Sequence, residues 1–141
     1  MSIARTDGAL TIADCARRLA SVPTGRLIYT DGALPAVRPV TFAAVRGEIV
    51  IYTGHDPLFD RLENWLLTFE AGHLDPDTRT GWTVLVHGHA HLRTVPGLGA
   101  GFDPFAGLPW HTDPLDGHLV LDIERITGHH LTLPRPDGDH R

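Results

Sequence analysis

The chain has 141 residues, with 12 basic groups, all arginine, against 17 acidic ones, for a formal net charge of −5. That length fits one domain, since domains typically run about 100–150 residues and no linker interrupts the chain. The acidic balance excludes a nucleic-acid binder, which needs a basic patch for phosphates, and no apolar run approaches the roughly 18 residues of a membrane span. A hydrophobic fraction of 42% places the chain among ordinary globular proteins rather than disordered ones. The first eight residues lack the basic start and apolar run of a signal peptide. A single cysteine forbids an internal disulfide and fits a reducing cytoplasm.

The first element is a helix from Thr11 to Val22. Ile12, Cys15, Ala16, Leu19 and Ala20 form its apolar stripe, and Thr11 with Asp14 makes a capping pair. Pro23 and Gly25 end it, and Cys15 reads as a core residue rather than a nucleophile. The periodicity then changes to two. Arg26–Thr30 is a strand followed by an Asp31-Gly32 turn signal. A second strand runs from about Ala36 to Ala44, where Pro39 demands an edge position or a bulge. Arg46-Gly47 turns the chain into a third strand, Glu48–Thr53. Asp56 and Pro57 open a second helix as N-cap and first helical residue, with Leu58, Leu62 and Trp65 on one face. Leu66–Ala71 reads as a fourth strand.

The clearest strand is Thr80–Arg93. Trp82, Val84, Val86, Gly88, Ala90 and Leu92 form an apolar face, and Thr83, Leu85, His87, His89, His91 and Arg93 a mostly polar one. Pro96–Pro109 is a glycine- and proline-rich loop. A strand or strand pair covers His118–Leu133, and residues 1–8 and 134–141 are expected to be flexible. The whole reads as one mainly β domain over 1–141, an antiparallel barrel of about six strands with short helices at its ends.

Three patterns bear on chemistry. His87, His89 and His91 share a strand face at about 7 Å intervals, a spacing from which adjacent imidazoles can hold a metal or face a haem. No carboxylate or cysteine stands beside them in sequence to complete a shell, and such a face is also ordinary polar surface. Gly97-Leu98-Gly99-Ala100-Gly101 is followed by Phe102-Asp103-Pro104, which opens no helix, so it reads as a loop rather than a phosphate cradle. The only serines, Ser2 and Ser21, sit in no nucleophile elbow, which leaves a hydrolase without support.

Five segments in order carry a family resemblance: Leu19–Leu27 (LASVPTGRL), Leu34–Phe42 (LPAVRPVTF), Asp77–Ala90 (DTRTGWTVLVHGHA), Pro109-Trp110 and Arg125–Gly128 (RITG). Together they resemble a small actinobacterial-type member of the pyridoxamine 5′-phosphate oxidase-like family, the flavin-binding split barrels. The resemblance implies a six-stranded antiparallel split β-barrel, a homodimer, and flavin mononucleotide (FMN) in clefts at the subunit interface. It implies a flavin-dependent oxidoreductase acting on a small molecule, since the cofactor carries the redox chemistry.

By position, Arg38, Pro39, Val40, Thr41 and Phe42 would run along the flavin, and Tyr52 and Thr53 would approach its ribityl phosphate. Trp82 and Thr83 would stand near the cofactor, and Trp110 would cover the site from the partner. His55, His87 and His111 are candidates for proton exchange. The chain departs from the family where a lysine holds the flavin phosphate. There it reads His55-Asp56-Pro57-Leu58, and a carboxylate in that place repels a dianion unless Asp56 caps its helix, with Arg61 as a substitute cation. The alternatives are a dimeric barrel that has lost FMN and binds metal or haem through its histidines, or a deazaflavin-dependent reductase.

Overall fold

The computed structural model describes residues 5–54, 56–93 and 117–134. Its elements in chain order are β1 (Arg5–Ala9), α1 (Ile12–Leu19), β2 (Thr24–Asp31), β3 (Leu34–Val45), β4 (Glu48–Gly54), a 3-10 helix (Pro57–Leu62), β5 (Leu66–Asp75), β6 (Thr80–Arg93), β7 (Gly117–Asp122) and β8 (Arg125–Thr132). The strands form an antiparallel sheet in the order β1-β8-β6-β5-β2-β3-β4-β7. A further pairing, from Ala90↔Leu121 to Arg93↔His118, joins β7 back to β6 and closes a ring of six strands. β8 and β1 lie outside that ring, on the first half of β6.

The ring is lined by one face of each strand. Leu27, Val40, Phe42, Ile49, Ile51, Phe69 and Leu119 meet inside it, with Trp82, Val84 and Val86 from β6. Phe42 stands edge-on to Phe69 with ring centroids 4.7 Å apart, a favoured aromatic geometry. Burying each large apolar side chain is worth about 1.5–3 kcal/mol, so this row dominates the stability of the barrel. A smaller cluster of Val50 and Val120, with Ala43, Val45 and Tyr52, occupies the other face of β3, β4 and β7.

β6 can serve two partners because of one glycine. Its first half, Thr80–His87, pairs with β8, and its second half, Ala90–Arg93, pairs with β7. Between them, a Cβ on Gly88 would lie 1.6 Å from the carbonyl oxygen of Asp122, so only glycine lets the chain cross there. The crossing is fastened by the Glu124 N–H donating to the His87 carbonyl at 3.0 Å.

Local expectations hold in part. Thr11 caps α1, its hydroxyl accepting from the Asp14 N–H at 3.1 Å. The apolar stripe is narrower than expected, however: only Cys15 and Leu19 are buried, and Ile12 is exposed. Burial raises the Cys15 thiol pKa, which suits an inert core residue. The first hairpin turns at Gly32-Ala33, one residue later than the Asp31-Gly32 signal, and Arg46-Gly47 turns as expected; all four residues have positive φ. Pro39 pairs with Arg26 of β2, while Leu34–Thr41 has no strand on its other side among the described residues, which is the required edge.

Three expectations need correcting. The second helix is a short 3-10 helix, Pro57–Leu62, whose buried residues Phe59 and Leu62 stand three apart on one face; it ends before Trp65, which is exposed. The fourth strand continues to Asp75, since β6 is long enough to pair with it up to Asp75↔Thr80. Leu92 leaves the apolar face of β6 and is exposed. The sequence pattern missed a strand near the N-terminus: Arg5–Ala9 forms β1, held by pairing with β8 at Arg5↔Thr132 and Thr6↔Leu131. The Pro96–Pro109 loop lies outside the described residues. Among the described residues no helix is long and apolar enough to cross a membrane.

Candidate functional site

The end of β4, the start of the 3-10 helix, the end of β6 and the start of β7 surround a cavity of about 410 Å³. Thr53, Gly54, Asp56, Asp60, Leu92, Arg93 and Gly117 line it. Thr53 is held by donating its hydroxyl proton to the Gly117 carbonyl at 2.8 Å, which ties β4 to β7 at the rim. Asp56 is the N-cap of the 3-10 helix: its Oδ1 accepts from the Leu58 N–H at 2.9 Å. Its Oδ2 accepts from Arg38 Nη2. The Leu58 N–H first, and the Arg38 guanidinium with it, hold the Asp56 carboxyl below its ordinary range, so it is ionised at neutral pH.

Arg38 shares the inward row of β3 with Val40 and Phe42, and its guanidinium stands 5.8 Å from the Phe59 ring centre. Arg38 is not itself among the lining residues and meets the cavity through its bond to Asp56; the guanidinium that lines the cavity belongs to Arg93. It grips both oxygens of Glu48, Nη1 to Oε1 at 3.0 Å and Nη2 to Oε2 at 2.7 Å. Arg38 and Arg93 therefore both carry a carboxylate already, and Asp60 adds another acid to the lining. These residues do not fit a flavin phosphate in this cavity, because a phosphate needs a cation that is not already neutralised.

The other expected site residues separate. Val40, Phe42 and Trp82 are buried in the barrel core, so their side chains face neighbouring core residues; Pro39 is exposed and Thr41 half-buried. Arg18 stands 6.0 Å from the Trp82 ring centre. Tyr52 packs with the Val50 and Val120 cluster. Thr83 donates to Glu70 Oε2 at 3.0 Å, while Arg26 bonds the same carboxylate's Oε1, beside a second cavity of about 320 Å³. Arg61 is exposed at the end of the 3-10 helix and is not among the residues lining the first cavity. His55, Trp110 and His111 lie outside the described residues.

The histidine face of β6 is organised by carboxylates from the β7–β8 corner. His89 Nδ1 and its backbone N–H both meet Glu124 Oε2 at 2.7 Å, and His91 Nε2 meets Asp122 Oδ2 at 2.7 Å. The backbone N–H of His89 is the largest cause of a lowered Glu124 pKa, followed by the His89 ring. The Nδ1 of His87 is buried with no hydrogen-bond partner among the described residues. Each imidazole thus has its own surroundings, and among the described residues no group of three or more His, Cys, Asp or Glu is placed to hold a metal ion.

Sequence reasoning did not find Glu48, Asp122 or Glu124 as partners of these groups. They arrive from β4 and the β7–β8 corner, through pairings such as Tyr52↔His118 and His91↔Val120, and no local spacing signals them.

Comparison with known proteins places the chain. Residues 11–98 match the family described as pyridoxamine 5'-phosphate oxidase. An uncharacterised protein of Mycobacterium tuberculosis is 33% identical over 121 residues, covering 79% of this chain and 77% of its own length. Among solved structures, an FAD-binding protein of Mycobacterium smegmatis superposes with a TM-score of 0.66 at 21% identity, covering 87% of this chain and 96% of that one. An FAD-binding protein of Mesorhizobium loti gives 0.71 at 16% identity, covering 91% and 98%. An FAD and haem binding protein of Mycobacterium smegmatis gives 0.64 at 15% identity, covering 96% and 78%. At these identities the structures establish a shared fold. With its six-stranded ring and the match from α1 through β6, the chain belongs to the pyridoxamine 5'-phosphate oxidase family.

Proposed function

We propose that the protein binds a flavin and acts as an oxidoreductase on a small molecule. The observation that carries this reading is the family match over residues 11–98, which takes in β3, the Tyr52-Thr53-Gly54 end of β4 and all but Gly117 of the residues lining the cavity beside it. The solved relatives named for FAD agree with it. The flavin supplies the redox chemistry when bound. The chain's part is to hold and orient: the backbone of Pro39–Phe42 and Thr53 offer hydrogen-bonding groups.

FMN at the interface of a homodimer is the arrangement that fits the family. Exposed Leu34, Val37, Trp65 and Leu66 offer apolar surface to a second subunit. A cytoplasmic protein with its thiol reduced is consistent with one buried cysteine. The phosphate of FMN must then be held by groups other than Arg38 and Arg93 as they are now paired.

The test is the purified protein itself. We expect a yellow preparation that releases a flavin on heating, with chromatography distinguishing FMN from FAD. A colourless preparation that takes up no flavin in titration, or one carrying haem or a deazaflavin instead, overturns the proposal.

A further inference from the structure

The misfit between the cavity and a phosphate has a single residue at its centre. Asp56 is fixed at both oxygens, one by the Leu58 N–H and the other by Arg38. It is therefore not a mobile side chain that an incoming anion can push aside. An anion that took Arg38 would stand next to a carboxylate still anchored to the 3-10 helix, and like charges at close range repel. Arg93 offers no substitute, because Glu48 already compensates its charge through a bidentate pair. Asp60, also in the lining, raises the cost of any anion further.

We infer that Asp56 sets the charge selectivity of this cavity: its carboxylate takes, within the chain, the place on Arg38 that an anionic ligand group would occupy. The native protein then favours a ligand end that is neutral over one that ends in a phosphate. Asp56 acts here as a specificity residue, and Arg38 is a latent anion site released only when that charge is removed. Only the flavin arm of the test rests on the flavin reading.

Asp56→Asn is the informative variant, because asparagine caps a helix about as well as aspartate and keeps an oxygen for the Leu58 N–H. Inorganic phosphate is titrated calorimetrically, and its effect on the thermal midpoint is compared with chloride at matched ionic strength. The native protein is expected to show no phosphate-specific effect. Asp56→Asn is expected to bind phosphate at least about tenfold more tightly, as befits a charge-assisted hydrogen bond that no longer has a competing anion beside it. The double variant Asp56→Asn/Arg38→Met is expected to lose that increase.

Equal phosphate binding by native protein and Asp56→Asn overturns the inference. So does an increase that survives removal of Arg38. With flavins as second probes, the preference for FMN over riboflavin is expected to rise about tenfold in Asp56→Asn. If neither protein binds any flavin while the phosphate results hold, the flavin reading fails and the role of Asp56 stands. If flavin binds but the phosphate results fail, the reverse follows.

Discussion

The two halves of β6 have the same alternating pattern and opposite surroundings. Thr80–His87 runs between β5 and β8 with regular pairing on both sides, and its inward residues Trp82, Val84 and Val86 are core. Beyond Gly88, β7 replaces β8, and on the other side the partners become irregular. Asn64 and Trp65 bond Ala90 through the backbone, and Glu63 accepts from the Leu92 N–H. The outward residues differ as well. In the second half His89, His91 and Arg93 each take a separate carboxylate, Glu124, Asp122 and Glu48. Three basic groups that each own an acid form a compensated ladder, in which the acids compete with any shared ion. The first half is scaffold, and the second half builds the wall of the cavity.

This contrast can be broken from the scaffold side first. Trp82→Ala removes a nearly buried indole from the first half and is expected to cost about 3–5 kcal/mol in urea unfolding. A loss below about 1 kcal/mol would mean that this half is not the rigid one. At the junction, Gly88→Ala places a methyl group into the Asp122 carbonyl. We expect a loss of about 3 kcal/mol, with amide exchange rising at Ala90–Arg93 and β7 more than at β8. Uniform exchange across both halves would deny that the glycine separates them.

In the second half, Glu48→Gln leaves Arg93 with a weaker acceptor and is expected to cost only about 0.5–1 kcal/mol, because the pair is partly solvated. The smallest effect concerns pH. Glu124 has a folded pKa below its ordinary value of 4.5, so it favours the folded state above that value, and the benefit is lost as pH falls through the folded pKa. Glu124→Gln is therefore expected to lower stability slightly in the neutral range and to converge with the native protein at acid pH, which flattens the acid limb of the stability profile. An unchanged acid limb would show that the His89 contact contributes nothing in solution.

Elements whose pattern is local could be read from the chain. The alternation of β6 marks both its ends correctly, Thr11 and Asp14 mark the start of α1, and Arg46-Gly47 marks its hairpin. Elements defined by their partners could not. β1 has the sequence Arg-Thr-Asp-Gly-Ala, with no apolar alternation, and is a strand because β8 pairs with it. The site divides the same way. The capping role of Asp56 is visible in the Asp-Pro pair, but its bond to Arg38 spans 18 residues and depends on how β3 meets the 3-10 helix. The carboxylates opposite His89 and His91 lie more than 30 residues further along the chain.

The open side of β3 carries a consequence for life at high concentration. Pro35 and Pro39 sit opposite Thr30 and Arg26, four residues apart, so their nitrogens point to the same side. They keep β3 bonded to β2 only if that side is the outer one, where neither has a hydrogen to donate. An extended edge bearing exposed Leu34 and Val37 would otherwise be a template for another strand. With both donors missing, a second chain cannot zip along it in register. The two prolines thus guard the unpaired stretch of β3 against aggregation.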